Sequence, residues 1–179
     1  RAGGRPSAGR DHGPGDGRVT DQLVYEAGGP LGVSGEPGRR VFTSAMPVRW
    51  SDQDLYRHVN HARMITLIEE ARIPWLFSEG LPTATLTAGA VMTDLAVRYR
   101  GQIRHADGPI RVRMWCEKVG GALFVARHEV RARTTPDSAP PEVDCTATIA
   151  AFDLVTQRPR RLTRDERGYL LEFRHEDAA

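Results

Sequence analysis

The residues best suited to chemistry lie together in the segment DQDLYRHVNH, which spans residues 52–61. The segment holds two aspartates, two histidines and an asparagine, and it stands directly before a stretch with helical spacing. Carboxylates and imidazoles serve in catalysis as nucleophiles or as proton donors and acceptors, whereas aspartate and asparagine also form turns and helix caps. The segment therefore indicates either a capped turn alone or a catalytic site at the start of a helix.

A long helix is predicted after this segment, because apolar residues recur there at three- and four-residue spacing from Met64 to Leu76. Gly80 marks its end, and Pro74 removes one backbone hydrogen bond, so we expect a kink or a break in the last turn. If Asn60 is the N-cap, backbone N–H groups around His61 and Ala62 are free to bind an oxygen atom of a ligand.

Five strands are predicted around this helix from apolar residues at alternate positions. They lie at residues 41–50, 91–99, 110–116, 122–132 and 142–155. Gly120 and Gly121 predict a hairpin turn between the third and fourth strands. One helix followed by four consecutive strands predicts an α+β domain, in which an antiparallel five-stranded sheet wraps around one long central helix.

Composition favours one domain of ordinary size. Residues 1–40 are rich in Gly, Pro and Arg and show no periodicity, so they are predicted to form a disordered or flexible extension before a domain at residues 41–173. No apolar run has the roughly 20 residues that a membrane span requires. The absence of a signal-peptide pattern, together with only two cysteines, predicts a cytoplasmic protein with reduced thiols and no membrane partner.

Nucleic-acid and metal binding are both disfavoured. The arginine-rich run at residues 157–167 contains interleaved acidic residues and no aromatic side chains, so it is interpreted as a solvated surface, and no nucleic-acid partner is expected. His58 and His61 stand three residues apart near Asp54, but they lie on a turn without a cysteine pair or a His-Glu-x-x-His motif. No metal site is predicted.

The stretch DLYRHVNHARMITLIEEAR resembles the 4-hydroxybenzoyl-CoA thioesterase family of hotdog-fold acyl-CoA thioesterases, and in particular its long-chain acyl-CoA members. In that family an aspartate precedes a His-Val-Asn-Asn-type turn and a helix carrying Glu-x-Ala-Arg. The matching positions here are Asp54, His58 to Asn60, and Glu69 to Arg72. The resemblance covers about residues 41–156. It departs at His61, where the family often has asparagine, and at Met64, where many members have an aromatic residue.

The resemblance implies an acyl-CoA thioesterase that releases a free carboxylic acid and coenzyme A. Asp54 would attack the thioester carbonyl or deprotonate a water molecule, and the helix N-terminus would polarise the carbonyl. His58, Asn60 and His61 complete the predicted catalytic set. No cofactor is expected, since coenzyme A is part of the substrate. Glu69 is the rival catalytic residue, because related hotdog enzymes use a mid-helix glutamate.

A second role is open for several of these residues. Glu69 can pair with Arg72 on the same helix face, which is the simpler interpretation. Met64, Ile65 and Ile68 are predicted to contact the acyl chain, although such a stripe usually forms core. The resemblance also implies a homodimer or tetramer whose neighbouring subunit completes each site, with Asp94 as a substrate-binding contributor.

Two alternative functions remain open at the level of sequence. One is a non-catalytic hotdog module that binds acyl-CoA or serves in assembly, since a fold does not prove its chemistry. The other is a thioesterase acting on acyl-carrier protein, because an arginine-rich surface suits an acidic carrier. Arginines at residues 98–113 or 157–167 are candidates for contacts with the phosphates of coenzyme A.

Overall fold

The computed structural model describes residues 32–175, in which seven strands form one antiparallel sheet. The strands are Gly32–Ser34 (β1), Val41–Met46 (β2), Ala90–Tyr99 (β3), Ile110–Val119 (β4), Leu123–Arg131 (β5), Val143–Asp153 (β6) and Arg158–Pro159 (β7). The strand order is β1-β2-β4-β5-β6-β3, and β7 pairs with β6. The α-helices are His61–Leu76 (α1) and Arg164–Glu172 (α2), and short 3-10 helices lie at Trp50–Asp52, Pro82–Ala88 and His105–Asp107.

The five predicted strands are present as β2 to β6, but the prediction of a five-stranded sheet is wrong because β1 and β7 extend it to seven. These two strands have three and two residues, which is too short for an alternating pattern to be recognised. The second helix was also missed, although Thr163 and Glu166 form the capping box that marks its start.

The first predicted strand is shorter than its pattern suggested. Strand β2 ends at Met46, directly before Pro47, which has no N–H group to continue the hydrogen-bonded ladder. Trp50, predicted to lie on that strand, instead begins a 3-10 helix and is 77% exposed. The chain thus leaves the sheet early and presents an aromatic side chain to solvent beside the DQDLYRHVNH turn.

Helix α1 provides one side of the core, and the sheet packs around it. Its buried residues are Met64, Leu67, Ile68, Ala71, Arg72, Trp75 and Leu76. All of these except Arg72 pack with the inward-facing residues of β4, β5 and β6 in a single apolar cluster. Pro74 does not break the helix, which continues to Leu76 and is capped by Phe77. This arrangement of one long helix against an antiparallel sheet is the one expected of a hotdog domain.

The predicted domain boundary at residue 41 falls inside the described structure. Residues 32–34 pair with β2, and Gly38 and Arg40 donate backbone hydrogen bonds to the carbonyl oxygen of Glu172. Arg40 also forms an ion pair with Glu172. The remainder of the predicted extension, residues 1–31, lies outside the described residues. No helix within residues 32–175 is long and apolar enough to cross a membrane.

Candidate active site

The segment between β2 and α1 forms a tight turn closed by its own backbone. Asp54 N–H donates to the carbonyl oxygen of His58 at 2.8 Å, and Arg57 N–H donates to the carbonyl oxygen of Asp54 at 3.0 Å. Arg57 has a φ of 62°, the left-handed conformation that lets the chain reverse there. Gln53 and Val59 pair across the turn as an isolated bridge. The turn therefore holds Asp54 in one backbone position.

Asp54 is half-buried, and within residues 32–175 its carboxylate is held through one of its oxygens. Oδ1 accepts hydrogen bonds from the backbone N–H groups of Tyr56 at 2.8 Å and His58 at 3.3 Å. Among residues 32–175, no hydrogen bond engages Oδ2. One oxygen of this carboxylate is oriented by hydrogen bonds, and the other has no hydrogen bond that would prevent it from reacting. A nucleophile or a general base requires this combination.

Neighbouring segments anchor both ends of the turn. Val59 N–H donates to the carbonyl oxygen of Ile103 at 2.7 Å, and Asn60 N–H donates to that of Asp52 at 2.9 Å. The Asp52 side chain is buried and accepts the N–H of Arg49 at 2.7 Å. Asp52 is thus a turn residue, as predicted, and its contacts support the turn that carries Asp54.

The start of α1 lies directly after this turn. Asn60 is its N-cap, as predicted, and its Oδ1 accepts the N–H of Ala62 at 2.9 Å. The expectation that the Ala62 amide is free is therefore wrong, because the cap itself uses it. Within the described chain, the N–H groups of His61 and Arg63 have no acceptor. These two amides, rather than those of His61 and Ala62, are available at the positive end of the helix dipole.

Tyr99 is a residue of this site that the sequence did not single out. Its hydroxyl donates to the carbonyl oxygen of His61 at 3.0 Å, which ties the end of β3 to the start of α1. Burial raises the pKa of the phenol, and nearby Cys145 adds to the shift, so the hydroxyl retains its proton. No periodic pattern in the sequence relates these positions, since the contact joins residues 38 apart.

The two histidines are placed differently from the aspartate. His58 is half-buried, and its contact with Asp54 is through the backbone N–H rather than through the ring. His61 is exposed and contributes its backbone to the helix start. Neither imidazole forms a hydrogen bond within the described part of the chain. The roles of these two rings in catalysis stay predictions.

The predicted acyl-contact residues lie largely inside the core. Met64 is 2% exposed and Ile68 is 1% exposed, and both belong to the apolar cluster between α1 and the sheet. Ile65 is only half-buried. Ile65 is thus the member of the set that a ligand reaches without rearrangement of the core.

Glu69 lies two turns along α1 and does not meet Asp54 at the helix start. It is eight residues beyond His61, about 12 Å along the axis. The predicted ion pair with Arg72 is absent among the described residues. Arg72 is instead buried, with one terminal nitrogen unpartnered; burial lowers its pKa, which the charge of Glu69 raises in part. The helical spacing was right, but the guanidinium points into the core while Glu69 stays exposed.

Asp94 is separate from this cluster within one protomer. It is exposed on β3, the edge strand of the sheet, five residues before Tyr99 and thus about 16 Å along the strand. The structure does not bring it to Asp54 in the same chain. No group of three or more His, Cys, Asp or Glu side chains with metal-binding geometry occurs between residues 32 and 175.

No curated protein matches this chain. Solved structures of the same fold include a predicted thioesterase from Bacillus stearothermophilus, 20% identical with a TM-score of 0.66 over 77% of this chain and 99% of that chain. The probable thioesterase YbaW from Escherichia coli is 23% identical, with a TM-score of 0.62 over 74% and 98% of the two chains. A Thermus thermophilus thioesterase complexed with coenzyme A and Zn is 22% identical, with a TM-score of 0.61 over 74% and 95%.

The family model of the Thioesterase-like superfamily matches residues 48–164. This range begins just after β2, contains the Asp54 turn, α1 and strands β3 to β7, and ends at the first residue of α2. It covers more than half of the chain, although it does not confirm the narrower 4-hydroxybenzoyl-CoA thioesterase family that the sequence resembles. The chain belongs to the Thioesterase-like superfamily.

Proposed function

We propose that this protein is a thioesterase that hydrolyses an acyl-CoA thioester to a free carboxylic acid and coenzyme A. The observation that carries the proposal is the placement of Asp54 on the turn that leads into the capped N-terminus of α1. Membership of the Thioesterase-like superfamily supports thioester chemistry, and the Thermus thermophilus structure of the same fold was solved with coenzyme A. Both observations support the class of reaction, and neither identifies the acyl group.

The two halves of the proposed site have complementary charge. The thioester carbonyl oxygen lies against the free N–H groups of His61 and Arg63, which donate to the oxygen as negative charge develops on it. Asp54 Oδ2 faces the carbonyl carbon from the preceding turn. Because the cap and the turn are already ordered by hydrogen bonds, little reorganisation is needed when the oxyanion forms.

Two routes satisfy this arrangement. In the first, Asp54 accepts a proton from a water molecule, the water oxygen attacks the carbonyl carbon, the C–S bond breaks, and the sulfur leaves as a thiol after taking up the proton. In the second, an oxygen of Asp54 attacks the carbon directly, the thiolate leaves and is protonated by water, and a second water molecule hydrolyses the resulting mixed anhydride. Both routes require an ionised Asp54 and neither requires a cofactor.

A homodimer or tetramer is part of the proposal. Strand β3 has ten residues and lies at the edge of the sheet, so one row of its backbone groups has no partner strand among the described residues. An exposed edge of this length pairs readily with a second copy. Such pairing would bring Asp94, on the outer strand, toward the site of the neighbouring subunit.

Thiol release from a panel of acyl-CoA esters of increasing chain length tests the proposal. We expect steady release of free coenzyme A with a clear preference for one range of acyl groups. Binding of acyl-CoA with no thiol release from any member of the panel would show a non-catalytic module instead. The same acyl group presented on a carrier protein measures whether coenzyme A or the carrier is the better substrate.

A further inference from the structure

An open cavity of about 440 Å³ lies beside the Asp54 turn and is not used by the chemistry described above. Its walls come from three segments: the 3-10 helix after β2, the turn itself, and the 3-10 helix that follows β3. The residues that matter here are Trp50, Gln53, Tyr56, Arg57, Arg104 and His105. The cavity therefore joins the candidate catalytic turn to a surface built from aromatic and basic side chains.

The aromatic residues of this cavity are unusually exposed. Trp50 is 77% exposed and Tyr56 is 75% exposed, although each carries a large apolar ring. Exposed aromatic rings beside a basic groove are a common platform for stacking nucleobases, because every base has a π-face and the contact does not depend on base identity. The two rings thus supply a surface suited to a planar heterocycle.

The basic residues are free to bind an anion. Neither Arg57 nor Arg104 forms an ion pair with any residue that the structure describes. The nearest carboxylates on the same segments are occupied by backbone N–H groups, since Asp107 accepts from Arg104 N–H at 2.8 Å and Asp54 accepts from Tyr56 N–H. Two guanidinium groups without acidic partners match the geometry and charge of phosphate groups.

The floor of the cavity is fixed by hydrogen bonds between its segments. Gln53 Oε1 accepts the N–H of His105 at 3.1 Å, and His105 Nδ1 lies 2.6 Å from the carbonyl oxygen of Val48. Since a carbonyl accepts, Nδ1 carries the hydrogen, and this contact holds the ring in the cavity wall.

We propose that this cavity binds the nucleotide end of coenzyme A, with adenine against Trp50 and Tyr56 and the phosphates at Arg57 and Arg104. The inference rests on the proposed thioesterase function. It follows from one juxtaposition: Tyr56 lines the cavity with its side chain and holds Asp54 Oδ1 with its backbone N–H. The same turn then positions both the reacting carboxylate and the nucleotide. The thioester and the nucleotide end of the substrate therefore lie on neighbouring surfaces.

The test compares one acyl group on two thiols. Acyl-CoA carries the nucleotide, whereas the acyl thioester of N-acetylcysteamine lacks it. We expect Arg104→Gln to raise the KM for acyl-CoA about ten-fold or more, and to leave kcat/KM for the N-acetylcysteamine thioester within about two-fold of the wild type. Arg39→Gln, an exposed arginine between β1 and β2 that does not line the cavity, is the matched control and should change neither value.

Binding of adenosine 3′,5′-bisphosphate, measured by calorimetry, tests the cavity independently of hydrolysis. We expect the wild type and Arg39→Gln to bind it, and Arg104→Gln and Trp50→Ala to bind at least about ten-fold more weakly. Absence of binding to the wild type, or an equal loss of activity on both thioesters, would overturn the cavity proposal while hydrolysis of acyl-CoA still stands. Binding without hydrolysis of either thioester would instead overturn the proposed function and leave the nucleotide site in place.

Discussion

Asn60 Oδ1 accepts the backbone N–H of Ala62 at 2.9 Å, and this single contact both caps α1 and decides which amides remain open at the helix start. The cap accepts the N–H of Ala62, the second residue of α1. The N–H groups of His61 and Arg63, which remain open, therefore lie on either side of it. The carbonyl oxygen of Asn60 also accepts the N–H of Met64, which begins the helical ladder. The cap therefore links the stability of α1 to the geometry proposed for the thioester carbonyl.

Replacing the cap should affect stability and activity together. Asn60→Ala removes the acceptor for Ala62 N–H, and we expect the free energy of unfolding to fall by about 0.5–2 kcal/mol. Asn60→Ser keeps a short neutral cap and should retain most of that stability. Urea unfolding of both variants, alongside kcat/KM for acyl-CoA, provides the measurement. Equal stability of the alanine and serine variants would show that the contact does not stabilise the helix.

Neutralising Glu69 should have little effect on catalysis. Glu69 is exposed about 12 Å along the helix from its start, and no ion pair within residues 32–175 holds it. We expect Glu69→Gln to change kcat/KM by less than about three-fold. A loss of a hundred-fold or more in this variant would transfer the catalytic role from Asp54 to the mid-helix glutamate.

The capping box of α2 should make stability depend on pH. Burial disfavours ionised Glu166, but Arg160, Thr85 and the N–H of Thr163 outweigh burial and lower its pKa to about 2. A carboxylate with a lowered pKa in the folded state stabilises the fold above its unfolded pKa, and this contribution is lost as the pH falls toward 2.

We therefore expect Glu166→Gln to lower the free energy of unfolding by about 3 kcal/mol at pH 7. The decrease should be much smaller near pH 2–3, where the wild-type carboxyl is itself losing its charge. Denaturant unfolding at both pH values measures the difference. Glu172→Gln is the matched control. Glu172 forms a partly exposed ion pair with Arg40, and such a pair contributes no more than about 1 kcal/mol to stability. A cost for Glu166→Gln that is unchanged between the two pH values would contradict this assignment.

The edge of β3 predicts the oligomeric state. We expect sedimentation equilibrium to give at least twice the 19.8 kDa mass of one chain, because one edge of the ten-residue strand β3 has no partner strand among the described residues and favours pairing with a second copy. Charged substitution at Leu95 or Val97 is unsuitable as a probe, since both side chains pack against the core. The side chain of Ala96 is exposed, and Ala96→Arg should weaken association instead. A monomer with full activity would contradict the shared site.

Sequence patterns predicted the parts of the fold that repeat. The alternation in β2 to β6, the spacing along α1 and the cap at Asn60 are local properties, and each is present near its pattern, although β2 ends four residues early at Met46. The Asp54 turn was also found from its residue types. Contacts between distant segments were not: nothing local indicates that Tyr99 reaches the carbonyl oxygen of His61.

Exposure was the other quantity that periodicity could not supply. Trp50 continued the alternation of β2, yet Pro47 ends the strand and turns the ring to solvent. Arg160, grouped at first with solvated arginines, is held by the buried carboxylate of Glu166. The first outcome follows from a proline that interrupts the strand and the second from an ion pair between two side chains, and apolar periodicity records neither.

The substitution Asp54→Asn tests the central claim most directly, because asparagine retains an oxygen that can accept from Tyr56 and His58 but cannot attack a carbonyl or accept a proton from water. The measurement is kcat/KM for the preferred acyl-CoA, with the free energy of unfolding as the control for folding. We predict a loss of about 10²- to 10⁴-fold with the stability nearly unchanged. A stable Asp54→Asn protein with wild-type kcat/KM would contradict the account.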